Sequence, residues 1–153
     1  MFEPRKRNRI PYFDYSLPNY YYLTLCTHDR KCYFGKPDQL SEAGIIVRSH
    51  IERLDTCYPQ IRVDKYVIMP NHIHMILVLE GNDVPGIPHI ISQFKGAVSK
   101  EIRKKHPRLQ LWQRSYYDHV IRDQRSYEQI WLYIEGNPQC LEKDDHFVEN
   151  CPF

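Results

Sequence analysis

Apolar and polar positions alternate along NYYYLTLCTH at 19–28. Tyr21, Leu23 and Leu25 fall on one face, and Tyr20, Tyr22, Thr24 and Cys26 on the other, the two-residue period of a β-strand. HDRKCYFGKPD follows as a loop with Gly and Pro. From Ser41 the period changes. Ala43, Val47, Ile51 and Leu54 recur at helical spacing through about Tyr58, with Ser41 as the N-cap and Pro59 as the stop. IRVDKYVIM at 61–69 and HIHMILVLE at 72–80 return to a strand pattern. A short Pro-Asn connection makes them antiparallel neighbours. The second is apolar on both faces beyond His74, as a central strand must be. GNDVPGIP at 81–88 reads as a loop. Ile90, Ile91, Phe94, Val98 and Ile102 mark the core side of the longest helix, 89–106. SYYDHVIR at 115–122 alternates again. Asp123 then caps a last helix that Gly-Asn-Pro ends near Gly136.

The order strand, helix, two strands, helix, strand, helix predicts an α+β sandwich of ferredoxin-like type, an antiparallel sheet with helices. A chain of 153 residues suits one domain. Residues 1–18, with little periodicity, read as an irregular basic arm carrying Arg5, Lys6, Arg7 and Arg9.

Composition sharpens this in a few places. The formal net charge of +2 argues for no particular partner. The placement says more, because cations cluster in the arm and in KEIRKKHPR at 100–108. Aromatic residues reach 13%, twelve of them Tyr, which suits half-buried binding faces with a polar tip. The five Cys are odd in number and show no CxxC spacing, so unpaired thiols in a reducing cytoplasm are expected, without a zinc knuckle. No apolar run has the length of a membrane span, and no apolar signal segment follows the basic start. A cytoplasmic protein with no membrane partner is the expectation.

The chemistry gathers at two segments. On a strand, positions i and i+2 share a face, so His72 and His74 project side by side, close enough to share one cation. Alone, an HxH pair is a weak signal, and a histidine at a strand end is more often a hydrogen-bonded residue. A divalent site asks for further donors, oxygen ones for Mg²⁺ or Mn²⁺. In IWLYIEGNPQ at 130–139, Tyr133 and Asn137 are four apart, on one helical face. That helix beside the histidine strand would present Asn137 as an amide-oxygen ligand and Tyr133 as a phenolate. Taken singly, Tyr133 reads as packing and Asn137 as a cap.

MPNHIHMILVLE followed by SYYDHVIRDQRSYEQIWLYIEGNP resembles the single-tyrosine HUH transposases, where U is hydrophobic. The match is nearer still to the REP-associated tyrosine transposases. RNRIPYFDYSLPNYYYLTLCTHDRKCYFG, ISQFKGAVSKEIRK and LWQRSYYDHVIR extend the resemblance over nearly the whole chain. It implies a ferredoxin-like fold of HUH-endonuclease type, with His72 and His74 as metal ligands and Tyr133 as the nucleophile. It places Asn137 where such enzymes carry a third, polar ligand, a position at which some relatives have Gln. The implied activity is metal-dependent cleavage and strand transfer of single-stranded DNA through a 5′-phosphotyrosine link, at hairpin-forming repeats. A monomer is favoured and a homodimer left open, with the protein at the nucleoid when bound to DNA.

Lys95, Lys100, Arg103 and Lys104 are candidates for phosphate contacts, against the plain reading of a solvated helix face. Arg5, Lys6, Arg7 and Arg9 form a basic arm that either touches DNA or stays in solvent. Tyr116 and Tyr117 are candidates for stacking on unpaired bases. Asp118 and His119 stand beside them as candidate supports of the metal ligands. Two other readings compete: a non-cleaving single-stranded DNA- or RNA-binding module of the same fold, and a metal-dependent hydrolase of a small substrate. The latter needs a carboxylate near the histidines, and Glu80 lies far along the strand.

Overall fold

The computed structural model describes residues 19–80 and 85–137. In chain order the elements are β1 (Asn19–Cys26), β2 (Gly35–Lys36), β3 (Gln39–Leu40), α1 (Glu42–Glu52), α2 (Leu54–Cys57), β4 (Ile61–Met69), β5 (His72–Leu79), α3 (Ile87–Ile102), β6 (Tyr117–Ile121) and α4 (Gln124–Gly136). Four strands form one sheet in the order β4-β5-β1-β6, every pair antiparallel. This is the ferredoxin-like α+β sandwich that the alternation of elements predicts, with β5 central and α4 added. The arm at 1–18, with Arg5, Lys6, Arg7 and Arg9, lies outside the described residues.

Three elements depart from the sequence reading. The helix expected from Ser41 to Tyr58 breaks at Arg53, whose N–H turns back to the Ile51 carbonyl, so α2 is a separate turn. Its start is as expected: the Ser41 hydroxyl accepts from the Gly44 N–H at 3.1 Å. The loop before it contains the two-stranded β2–β3 ribbon. Gly35 turns it with φ +78°, where a Cβ would lie 2.6 Å from the Ser41 nitrogen. α3 starts at Ile87, because Pro88 is accommodated in a first helical turn that needs no N–H there. The expectation of unpaired thiols is also corrected: Cys57 carries a free thiol, but Cys32 is disulfide-bonded.

The sheet has two unlike faces. Tyr21, Leu23, Leu25, Ile73, Met75, Leu77 and Leu79 point toward α1 and α3, joining Val47, Ile51, Ile90, Phe94 and Val98 in the main core. Val67, Met69, Ile76, Val78 and Ile121 point the other way and form a smaller cluster with Ile134 of α4. By the two-residue period of β5, His72 and His74 belong to this second face.

Candidate active site

The histidine pair is oriented by the turn that precedes it. Asn71 is buried, and its carbonyl accepts from the Thr27 N–H at 3.0 Å and the Thr27 hydroxyl at 3.1 Å. Its side-chain N–H₂ donates to the Arg30 carbonyl at 3.2 Å, which sets the amide orientation. The Asn71 Oδ1 then lies 2.7 Å from the His72 Nδ1. An amide oxygen only accepts, so Nδ1 carries the proton and Nε2 keeps its lone pair, the tautomer a metal requires. His74 Nδ1 lies 2.9 Å from the Thr24 hydroxyl and 3.0 Å from the Tyr22 hydroxyl. That leaves Nε2 as the nitrogen a ligand would use. The two imidazoles are 4.6 Å apart between centroids and fully buried. Asn71, Thr24 and Tyr22 were not singled out as orienting groups from sequence. The Pro-Asn turn was a signal for the first, whereas the other two need the pairing Thr24↔His74 and Tyr22↔Ile76.

The second half of the site comes from α4. Asp123 caps it, accepting from the Ser126 N–H at 2.7 Å, and this bond holds its carboxyl below the usual range. Ile134 seats the helix on the sheet with Tyr127, Ile130 and Trp131. That rotation sets Tyr133 against His74, ring centroids 5.5 Å apart, with 45% of the tyrosine still exposed. Asn137, at the C-cap, donates from Nδ2 to the Tyr133 carbonyl at 3.3 Å. Its Oδ1 is buried and has no hydrogen-bond partner among the described residues. A buried amide oxygen without a partner is costly. A cation coordinated by that oxygen and the two imidazoles would relieve the cost. Among the described residues no cluster of three or more His, Cys, Asp or Glu exists, so an amide is the third donor on offer. By donor chemistry, two imidazoles and an amide oxygen are groups that a divalent metal accepts.

Beside Tyr133 opens a cleft of about 500 Å³, whose lining includes Tyr22, Thr24, His74, Tyr117, His119 and Gln129. The pairing of β1 with β6 puts His119 opposite Tyr22 and Tyr117 opposite Thr24, on the face of His74. Asp118 is also among the residues lining this cleft, and it stands opposite Leu23 on the strand, so alternation turns its side chain toward the α1/α3 face. Tyr116 is likewise corrected: it is 5% exposed within the main core and has no surface on which a base could stack. Tyr117 is 40% exposed.

On the far side, a groove of about 650 Å³ runs between α3 and the segment before β6, lined by Lys100, Arg103, Lys104 and Arg114, with no acidic residue in its wall among the described residues. Lys95 also borders it, but its ammonium donates to the Gln113 carbonyl at 3.0 Å and to that of Ser115. Those bonds hold the segment in place and leave Lys95 a structural tie. Lys105 is paired with Glu42.

The sequence pattern of the family described as transposase IS200 like matches residues 17–137. An uncharacterised protein of Haemophilus influenzae is 33% identical over 169 residues, covering 95% of this chain and 94% of that protein. A second protein of that organism, provisionally named a REP-associated tyrosine transposase, is 30% identical over 135 residues, covering 82% of this chain and 73% of that protein. Among solved structures, a REP-associated tyrosine transposase bound to a REP hairpin matches with a TM-score of 0.60 at 21% identity, over 91% of this chain and 73% of that one.

Proposed function

Because the chain belongs to the IS200-like transposase family and is of the REP-associated tyrosine kind, we propose that it cuts and rejoins single-stranded DNA at hairpin-forming repeats, with Tyr133 as nucleophile. The observation that carries this is the contact of the Tyr133 ring with His74, with the buried Asn137 oxygen that lacks a described partner one turn further along α4. In cleavage the Tyr133 oxygen bonds to the scissile phosphorus as its phenolic proton departs. The bond from phosphorus to the 3′-oxygen breaks, and that oxygen takes up a proton to become a 3′-hydroxyl. The 5′-phosphotyrosine link retains the phosphoester. An incoming 3′-hydroxyl attacks the phosphorus, the tyrosine leaves, and its phenol is restored. His72, His74 and Asn137 would hold a divalent cation, Mg²⁺ or Mn²⁺, of which two imidazole donors suit Mn²⁺ better. When bound, such a cation neutralises phosphate charge as a Lewis acid.

Thr24, Tyr22 and Asn71 hold the imidazoles in register for this role, and Tyr117 offers an exposed ring at the cleft for a base to stack on. Lys100, Arg103, Lys104 and Arg114 offer charge to the phosphates of a hairpin stem, as the structural relative's REP hairpin suggests for its kind. The working unit is a monomer acting in the cytoplasm. Incubation with labelled hairpin DNA and Mn²⁺ or Mg²⁺, read on a denaturing gel, tests the reading. A covalent adduct that disappears in Tyr133→Phe is expected. An adduct that survives Tyr133→Phe overturns the nucleophile, and binding without any adduct makes the protein a non-cleaving module.

A further inference from the structure

α4 meets the sheet at an irregularity in β4. The pairing with β5 runs Val63↔Leu77 and then Lys65↔Ile76, so Asp64 is the extra residue of a β-bulge. Such a residue bends its strand and re-aims its side chain. The Asp64 carboxylate accepts from the Tyr127 hydroxyl in the first turns of α4, and Arg62 holds its other oxygen. Tyr127 in turn meets Tyr20 edge-on, centroids 5.5 Å apart. Lys65, the next residue along β4, reaches the far end of the helix. Its ammonium pairs with Glu135 and lies 4.2 Å from the Trp131 ring centroid. Two adjacent strand residues thus grip α4 on either side of Tyr133. The apolar grip is light, since Ile134 is the one buried residue within the helix.

We propose that Asp64 is a positioning residue for strand cleavage: from the bulge, through Tyr127, it sets the seat of α4 on the sheet and so the approach of Tyr133 to the His72–His74 pair. The inference rests on the reading of Tyr133 as nucleophile. A helix with polar ties on either side of the reacting residue can shift by fractions of an ångström without unfolding when one tie is lost, and displacement of that order is costly to a reacting group.

Single-turnover adduct formation at saturating hairpin DNA should fall at least about tenfold in Asp64→Ala and in Tyr127→Phe, with hairpin affinity unchanged. The double variant should fall no further than either single one, because both act through one bond. Asp64→Asn, which keeps an acceptor oxygen, should recover most of the rate. Independently of activity, amide hydrogen exchange over 124–137 should quicken at least about tenfold in Asp64→Ala while β5 is unchanged. Wild-type exchange in α4 overturns the proposal, as does a loss of DNA affinity that parallels the loss of rate. If the wild-type protein forms no adduct at all, the nucleophile reading fails, and hydrogen exchange alone decides whether Asp64 seats the helix.

Discussion

The two faces of the sheet are built for different tasks. The face toward α1 and α3 is apolar across its centre, with Leu23, Leu25, Ile73, Met75 and Leu77 under two helices. The face toward α4 is apolar at one end, with Ile76, Val78 and Ile121, and polar at the other, with His72, His74 and Thr24. The same strands supply both, since alternate residues of β1 and β5 point opposite ways. Stability is concentrated on one side, which allows the other to bury groups that cost energy. The orphaned Asn137 oxygen and the paired imidazoles are tolerated because the opposite core is complete.

The division can be broken from either side. The largest effect is expected at Tyr133→Phe, which should lower adduct formation by about a thousandfold or more while leaving the melting temperature unchanged, because the hydroxyl belongs to a half-exposed ring. Comparison of single-turnover rates with thermal melts checks both halves. On the opposite face, Phe94→Ala should cost about 3–5 kcal/mol of stability in urea titration, with the protein that remains folded cleaving as before. Asn71→Ala removes the acceptor that holds the His72 proton on Nδ1. About a 10- to 100-fold loss of Mn²⁺ affinity by calorimetry is expected, and unchanged affinity would show that the turn merely packs.

The smallest effect concerns pH. The hydrogen bond to Asp64, with burial and the nearby charge adding to it, pushes the Tyr127 hydroxyl up to about 12 from 10. A hydroxyl with a raised folded pKa stabilises fully below the unfolded value of 10, and that contribution is lost as pH climbs toward 12. Denaturation midpoints should therefore fall between those values, less steeply in Tyr127→Phe. Tyr66, raised chiefly by burial, contributes with the same sign and persists in that variant.

Much of this was legible in order and period. Alternation located β1, β4, β5 and β6, Asp123 marked the start of α4, and spacing alone paired His72 with His74 and Tyr133 with Asn137. What stayed hidden depends on contacts between distant segments. The β2–β3 ribbon is too short to show a period. Tyr116 and Tyr117 look equivalent in SYYDH, and only the register of β6 against β1 sends one into the core and the other to the cleft. Lys95 looks like any surface cation until the carbonyls of Gln113 and Ser115 are found on its ammonium. The bulge at Asp64 leaves no trace in IRVDKYVIM, since the extra residue is defined by its partner strand.

The exposure of Tyr133 has a topological consequence. Its ring stands at the margin of a cleft beside the last strand of the sheet, with no described element closing over it. As far as the described residues go, a polymer could be laid in sideways at an interior point, without being threaded by an end. For a nucleic-acid substrate, a closed circle or a short loop within a long chromosome would be as accessible as a terminus.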